Sequence, residues 1–300
     1  MRTLTLSLMV VMAFAVPAFA DIHDKVDHNY VDNNGVKLHY VSAGEGPVVL
    51  FVHGFPDYWY SWRHQMEGLM SDHKVVAMDM RAYNKSDQPE GVENYTMDLL
   101  MSDFGAVIDD LGVESVTLVA HDWGGAIAWR YAMFNQDKVN KLIICNLTHP
   151  TGYGTVRANA TPEQKANTNY IKVFQDPKAH ERFTAKGVTM MVAGRASKEV
   201  QARYEAAFEK SSFDGMLNYY RSAFGALEAG VQDVPNLDMP VLQFHGLKDT
   251  AVDKDGLRDT WNWVDKDYTL VSIPSAGHWV QDEAAEMVTT TMKWWLAARK

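Results

Sequence analysis

The stretch Ala120-His121-Asp122-Trp123-Gly124 places an acid between small residues where an apolar run meets a helical one. The run before it, residues 116–119, is mostly β-branched and apolar and reads as a buried strand. Residues 126–132 read as a helix that is apolar on most of its surface. Small-x-acid-x-small at such a junction is the grammar of a nucleophile elbow. The turn is tight, so its flanks must be small, and a strained backbone lifts the central side chain over the sheet. Serine is the usual occupant; here it is Asp122. A carboxylate attacks without first losing a proton, and its product is an ester that water must cleave. Taken alone, the stretch also fits a plain turn with Asp122 as a helix N-cap.

An aspartyl ester needs a base to activate water. His278 lies in Ser275-Ala276-Gly277-His278, just after the last strand-like run. Asp249, in Gly246-Leu247-Lys248-Asp249, follows the strand before it and can orient that histidine. Nucleophile, acid and base then occur in the order of the α/β hydrolases. The developing oxyanion needs donors. The backbone N–H of Trp123, directly after the nucleophile, is one candidate. The N–H of Phe55, in His53-Gly54-Phe55-Pro56, is the other. Whether Pro56 follows a cis bond is open at this level.

These residues must sit on a common frame. Residues 29–31 and 36–41 alternate around Asp32-Asn33-Asn34-Gly35, a hairpin signal. Strands are expected at 47–52, 75–78, 116–119, 139–145, 241–245 and 268–272, and helices at 59–69, 96–111 and 284–298. Apolar strands alternating with helices predict a mostly parallel sheet covered on both faces. After Pro150 the strand signal stops. Helices are expected at 169–174, 179–186, 197–210 and 213–224. The expected organisation is an α/β core of residues 21–150 and 236–300, with residues 151–235 as a helical cap over the carboxyl edge of the sheet.

With 47% hydrophobic and 22% charged residues, the 300-residue chain is globular rather than disordered. A net charge of −10 argues against a nucleic-acid partner. Arg2, an apolar run over residues 4–16 and Ala18-Phe19-Ala20 match a secretory signal with cleavage after Ala20. The apolar run is short for a membrane anchor. The expected location is periplasmic or secreted. Cys145, the sole cysteine, makes no internal disulfide.

The chain resembles the epoxide hydrolases of the α/β-hydrolase fold. The resemblance rests on His53-Gly54-Phe55-Pro56, His121-Asp122-Trp123-Gly124-Gly125, Asn146-Leu147-Thr148-His149-Pro150, Gly246-Leu247-Lys248-Asp249 and Gly277-His278-Trp279. It implies a carboxylate nucleophile, a His–acid pair, two cap tyrosines that protonate an opening oxirane, and no metal or cofactor. Tyr170 matches the first tyrosine, in Tyr170-Ile171-Lys172-Val173-Phe174-Gln175. Tyr220 matches the second, in Leu217-Asn218-Tyr219-Tyr220-Arg221, although the adjacent Tyr219 also fits. Two positions depart from the family pattern. Ala120 replaces a glycine before the elbow, and residues 81–86 lack the usual glycine-containing loop.

The expected substrates are a small apolar epoxide and water. Phe55, Tyr58, Trp59, Tyr60 and Trp62 suggest an aromatic pocket, with Trp59 and Tyr219 as substrate contacts. Haloalkane or haloacid dehalogenation uses the same nucleophile and is the alternative. Phe55 offers no side-chain donor to a halide, whereas Trp123 does. A non-catalytic exported binding protein is a further alternative, but it has no use for His278 and Asp249.

Overall fold

The computed structural model describes residues 21–230 and 234–299, so the expected signal segment, residues 1–20, lies outside the described residues. The hairpin forms as expected. Strands β1 (Asp27–Asn33) and β2 (Val36–Ala43) pair antiparallel, with Asn33 opposite Val36. Asn34 and Gly35 turn the chain at φ values of 53° and 87°. That pair of positive values suits the twist of a tight hairpin.

The remaining strands are β3 (Val48–Val52), β4 (Lys74–Met78), β5 (Val116–His121), β6 (Val139–Cys145), β7 (Val241–Gly246) and β8 (Tyr268–Ile273). They form an eight-stranded sheet in the order β1-β2-β4-β3-β5-β6-β7-β8. It is parallel from β4 to β8; β2 joins β4 antiparallel. Every residue of β3, β5 and β7 is buried. Central strands buried on both faces read as the continuous apolar runs seen in the sequence.

The core helices are α1 (Arg63–Leu69), α2 (Met97–Asp110) and α3 (Asp122–Phe134), with α11 (Val280–Glu283) and α12 (Ala285–Ala297) at the end of the chain. Residues 59–69 do not form one helix: a 3-10 turn, Trp59–Trp62, precedes α1. Between β6 and β7 lie α4 (Pro150–Ala158), α5 (Pro162–Asn167), α6 (Tyr170–Phe174), α7 (Ala185–Ala193), α8 (Lys198–Phe208), α9 (Phe213–Asn218) and α10 (Phe224–Glu228), and no strand among the described residues. The sequence reading missed α4 and α5. Both begin with proline at the first turn, where its lost N–H costs nothing.

The helix expected at 179–186 is broken. Phe183 and Thr184 are extended, and the Thr184 hydroxyl caps α7 by accepting the Gly187 N–H. The segment 213–224 also changes character: α9 passes through a π-turn at Tyr219–Ala223 before α10 begins.

Candidate active site

Strand register brings the motifs together. Val52 pairs with Ala120, His121 with Cys145, Cys145 with Phe244, and Gly246 with Ile273. The segments after β3, β5, β6, β7 and β8 therefore leave the sheet side by side. This carboxyl edge is where parallel sheets bind ligands.

Asp122 opens α3 at φ 49°, a left-handed conformation that non-glycine side chains rarely adopt. The elbow presses against the loop after β3. A Cβ on Gly124 would stand 2.4 Å from the His53 carbonyl oxygen, and one on Gly54 would stand 2.4 Å from Asp122 Cβ. Both glycines are required by this approach. The Phe55–Pro56 bond is cis, and the Phe55 N–H donates to Asp122 Oδ1 at 2.7 Å. Trp123 lies in the first turn of α3, where backbone N–H groups have no helical acceptor.

His278 faces both carboxylates. Its Nδ1 is 2.9 Å from Asp249 Oδ2 and its Nε2 is 3.4 Å from Asp122 Oδ2. Asp249 Oδ1 accepts the N–H groups of Ala251 and Val252, and its Oδ2 accepts from Asn146. Burial alone would strip the proton from His278, but the Asp249 and Asp122 charges and hydrogen bonds hold its pKa well above the usual histidine value. Burial alone would raise the Asp122 pKa. His278 and the Phe55 N–H reverse that and lower it. Asp249 is lowered against the same burial, chiefly by His278.

The helices between β6 and β7 supply the opposite wall. A cavity of about 20 Å³ is lined by Asp122, Trp123, Tyr170 and Tyr220, with Ala126, Leu147, Phe224 and Leu227 around them. That volume holds about one water. A larger groove of about 310 Å³ lies beside Thr155, Asn159, Asp255 and Trp263, and it includes neither Asp122 nor His278. The Tyr170 and Tyr220 rings are 6.3 Å apart. Burial first, and then the Asp122 charge, push both phenols well above their ordinary pKa, so both stay protonated.

Two expected substrate contacts lie elsewhere. Trp59 is fully buried under the core, its ring stacked on His23 and packed against Tyr58 and Tyr60. It does not line the Asp122 cavity; nor do Tyr58, Tyr60 and Trp62. Tyr219 is also sealed off, with its hydroxyl donating to the Arg81 carbonyl at 3.0 Å. Successive residues on a helical turn point in different directions, so Tyr220 alone of the pair lines the cavity.

Several further residues at the site carry no catalytic signal in the sequence. Gln175 donates to the Tyr220 carbonyl at 3.1 Å, inside the π-turn. His121 is fully buried, and its Nε2–H donates to the His278 carbonyl at 2.8 Å. Burial lowers the His121 pKa to about 4, so it serves this contact as a neutral ring. Tyr153, on the missed α4, lines the cavity beside Tyr170. In residues 81–86, Ala82 and Asn84 take positive φ, 76° and 46°, without glycine. Arg81 anchors that loop through a buried ion pair with Asp103 at 2.6 Å.

A family model described as the alpha/beta hydrolase fold matches residues 47–285. Epoxide hydrolase 1 of Caenorhabditis elegans is 34% identical over 284 residues, covering 89% of this chain and 69% of that protein. Epoxide hydrolase 2 of the same organism is 33% identical, covering 89% and 79%. A Bacillus megaterium epoxide hydrolase crystallised with an inhibitor superposes with a TM-score of 0.83 at 32% identity, covering 90% of this chain and 100% of that one. The family match runs from β3 through the elbow and the helices between β6 and β7, and the chain belongs to the epoxide hydrolases of the α/β-hydrolase fold.

Proposed function

We propose that the protein converts an epoxide and water into a vicinal diol through an ester on Asp122. The observation that carries this reading is one cavity lined by Asp122, Tyr170 and Tyr220. With Oδ1 held by Phe55, Oδ2 attacks a ring carbon. The ring C–O bond breaks, and a tyrosine delivers its proton to the departing oxygen, because an alkoxide is a poor leaving group without an acid. A hydroxyalkyl ester results. His278, oriented by Asp249, takes a proton from water as the water adds to the Asp122 carboxyl carbon. The Phe55 and Trp123 N–H groups hold the oxyanion on Oδ1. Collapse releases the diol and restores the carboxylate. The water supplies the protons of the product and of the tyrosine.

Alkylation also prepares the base. Before it, two anions favour a charged His278. Afterwards Asp122 is an uncharged ester, so the pKa of His278 falls as a neutral imidazole becomes necessary. Residues 151–235 act as the cap whose movement admits substrate. The sequence of residues 1–20 supports export to the periplasm or medium, with a mature chain beginning at Asp21. N-terminal sequencing of the exported protein tests that.

A parallel assay of epoxides and haloalkanes tests the reaction. Diol release with negligible halide release is expected. Halide release as the dominant activity would transfer the assignment to dehalogenation.

A further inference from the structure

Asn146 takes part in none of the steps above, yet both ends of its side-chain amide are engaged at the site. It is fully buried and follows β6 at φ 44°. Its Nδ2 donates to Asp249 Oδ2 at 2.6 Å and to the Gly277 carbonyl at 3.1 Å. Its Oδ1 accepts the Gly246 N–H at 3.0 Å, and its own N–H donates to Phe244 O at 3.1 Å. One amide therefore touches the acid, the residue before the base, and the root of the acid's loop. Reversing the amide would turn its oxygen towards the Asp249 carboxylate, so the network fixes its orientation.

We propose that Asn146 is a positioning residue that sets the Asp249–His278 pair for ester hydrolysis, a role that rests on the Asp122 ester reading. Asp249 Oδ2 is shared between Asn146 Nδ2 and His278 Nδ1. The amide holds the carboxylate in line with the imidazole and adds no charge of its own. Its second hydrogen fixes Gly277, and with it the backbone from which His278 projects. The left-handed backbone turns the side chain towards these loops. Asn146 makes no contact with the Asp122 carboxylate, so ring opening does not depend on it directly.

Two substitutions separate this role from loop packing. Asn146→Gly accepts positive φ without strain and deletes only the amide. Asn146→Asp keeps the shape, and its carboxyl can donate to Asp249 only while protonated. Set against another carboxylate, that carboxyl titrates above the ordinary range. Single-turnover kinetics on the full enzyme, with mass spectrometry of the Asp122 peptide, resolve ester formation from ester decay. Circular dichroism and a urea melt identify folded variants.

In Asn146→Gly, ester decay should slow at least tenfold while ester formation changes about twofold or less, and the acid limb of decay should move. In Asn146→Asp, decay should be closest to wild type at the acid end. It should then fall with rising pH at a point where neither wild type nor Asn146→Gly falls. Folded variants whose decay rate and pH profile match wild type would overturn the proposal. So would equal slowing of both steps with an unmoved profile. Absence of any ester in the wild type would instead remove the Asp122 reading beneath it.

Discussion

His278 Nε2 lies 3.4 Å from Asp122 Oδ2, close enough to serve the carboxyl carbon in the proposed Asp122 ester. His278→Gln should therefore leave ring opening possible and stop ester decay. The expected result is an adduct of substrate mass accumulating on the Asp122 peptide, with turnover reduced by at least about a thousandfold. Mass spectrometry after mixing with any epoxide that the wild type turns over reads this directly. Rapid turnover without accumulation would assign the base elsewhere.

Asp122→Asn should abolish turnover to a similar extent, because an amide is a far weaker nucleophile. The variant should keep its fold, since the amide oxygen can still accept the Phe55 N–H. Fresh protein, checked by mass for deamidation, is assayed for diol. Activity near wild type would sink the nucleophile assignment.

Tyr170→Phe and Tyr220→Phe should each slow ring opening, and together they should lower it by about 10²–10⁴-fold, the usual contribution of a positioned acid. Halide release from a substrate that needs no proton should fall much less. Quench-flow measurement of ester formation separates the two classes. A double variant with unchanged epoxide opening would refute the acid role.

The pH dependence follows from the signs of the shifts. His278 must be neutral to activate water, so ester decay is present above its pKa in the ester and is lost as pH falls through that value. The Asp249 and Asp122 charges outweigh burial and raise this pKa in the resting enzyme; esterification removes the Asp122 charge. The acid limb of decay should thus lie below the resting-state His278 titration followed by NMR. The cap phenols are raised well above their ordinary value, so the alkaline loss of ring opening should begin above about pH 10. An acid limb at or above the resting titration would contradict the charge switch.

Gly54→Ala should injure both stability and chemistry. Its Cβ would sit 2.4 Å from Asp122 Cβ and 2.6 Å from Asp122 Oδ1, so the elbow must move. A loss of about 1–3 kcal/mol is expected from the overpacking, read as a lower urea midpoint. Ester formation should slow because the Phe55 N–H and Asp122 Oδ1 no longer meet at 2.7 Å. A variant with unchanged midpoint and rate would show that the close approach is not required.

Much of the core was legible in the chain because its signals are local. Residues 48–52 are apolar throughout, and residues 116–121 are apolar except for Thr117 and His121, because both faces of those strands are covered, and no partner need be known to see it. Asp122 between Ala120 and Gly124 announces an elbow because tight turns restrict side-chain size. His278 and Asp249 were legible from loops that follow the last two strand runs, and the resemblance extended this to Tyr170 and the Tyr219–Tyr220 pair.

Other features depend on residues far apart in the chain. Asn34-Gly35 determines its own turn, but nothing near Trp59 says that His23 covers its ring. Tyr219 and Tyr220 are equivalent in composition. A π-turn and the Arg81 carbonyl decide between them, and Arg81 lies 138 residues away. The break at Phe183-Thr184 turns on one hydroxyl capping α7. The engagement of Asn146 exists only because β6 lies between β5 and β7, with the loop after β8 folded back over their ends. Local pattern therefore determined the strands and which residue types could react. Strand order and cap packing decided which side chains share the cavity, because that depends on contacts between segments distant in sequence.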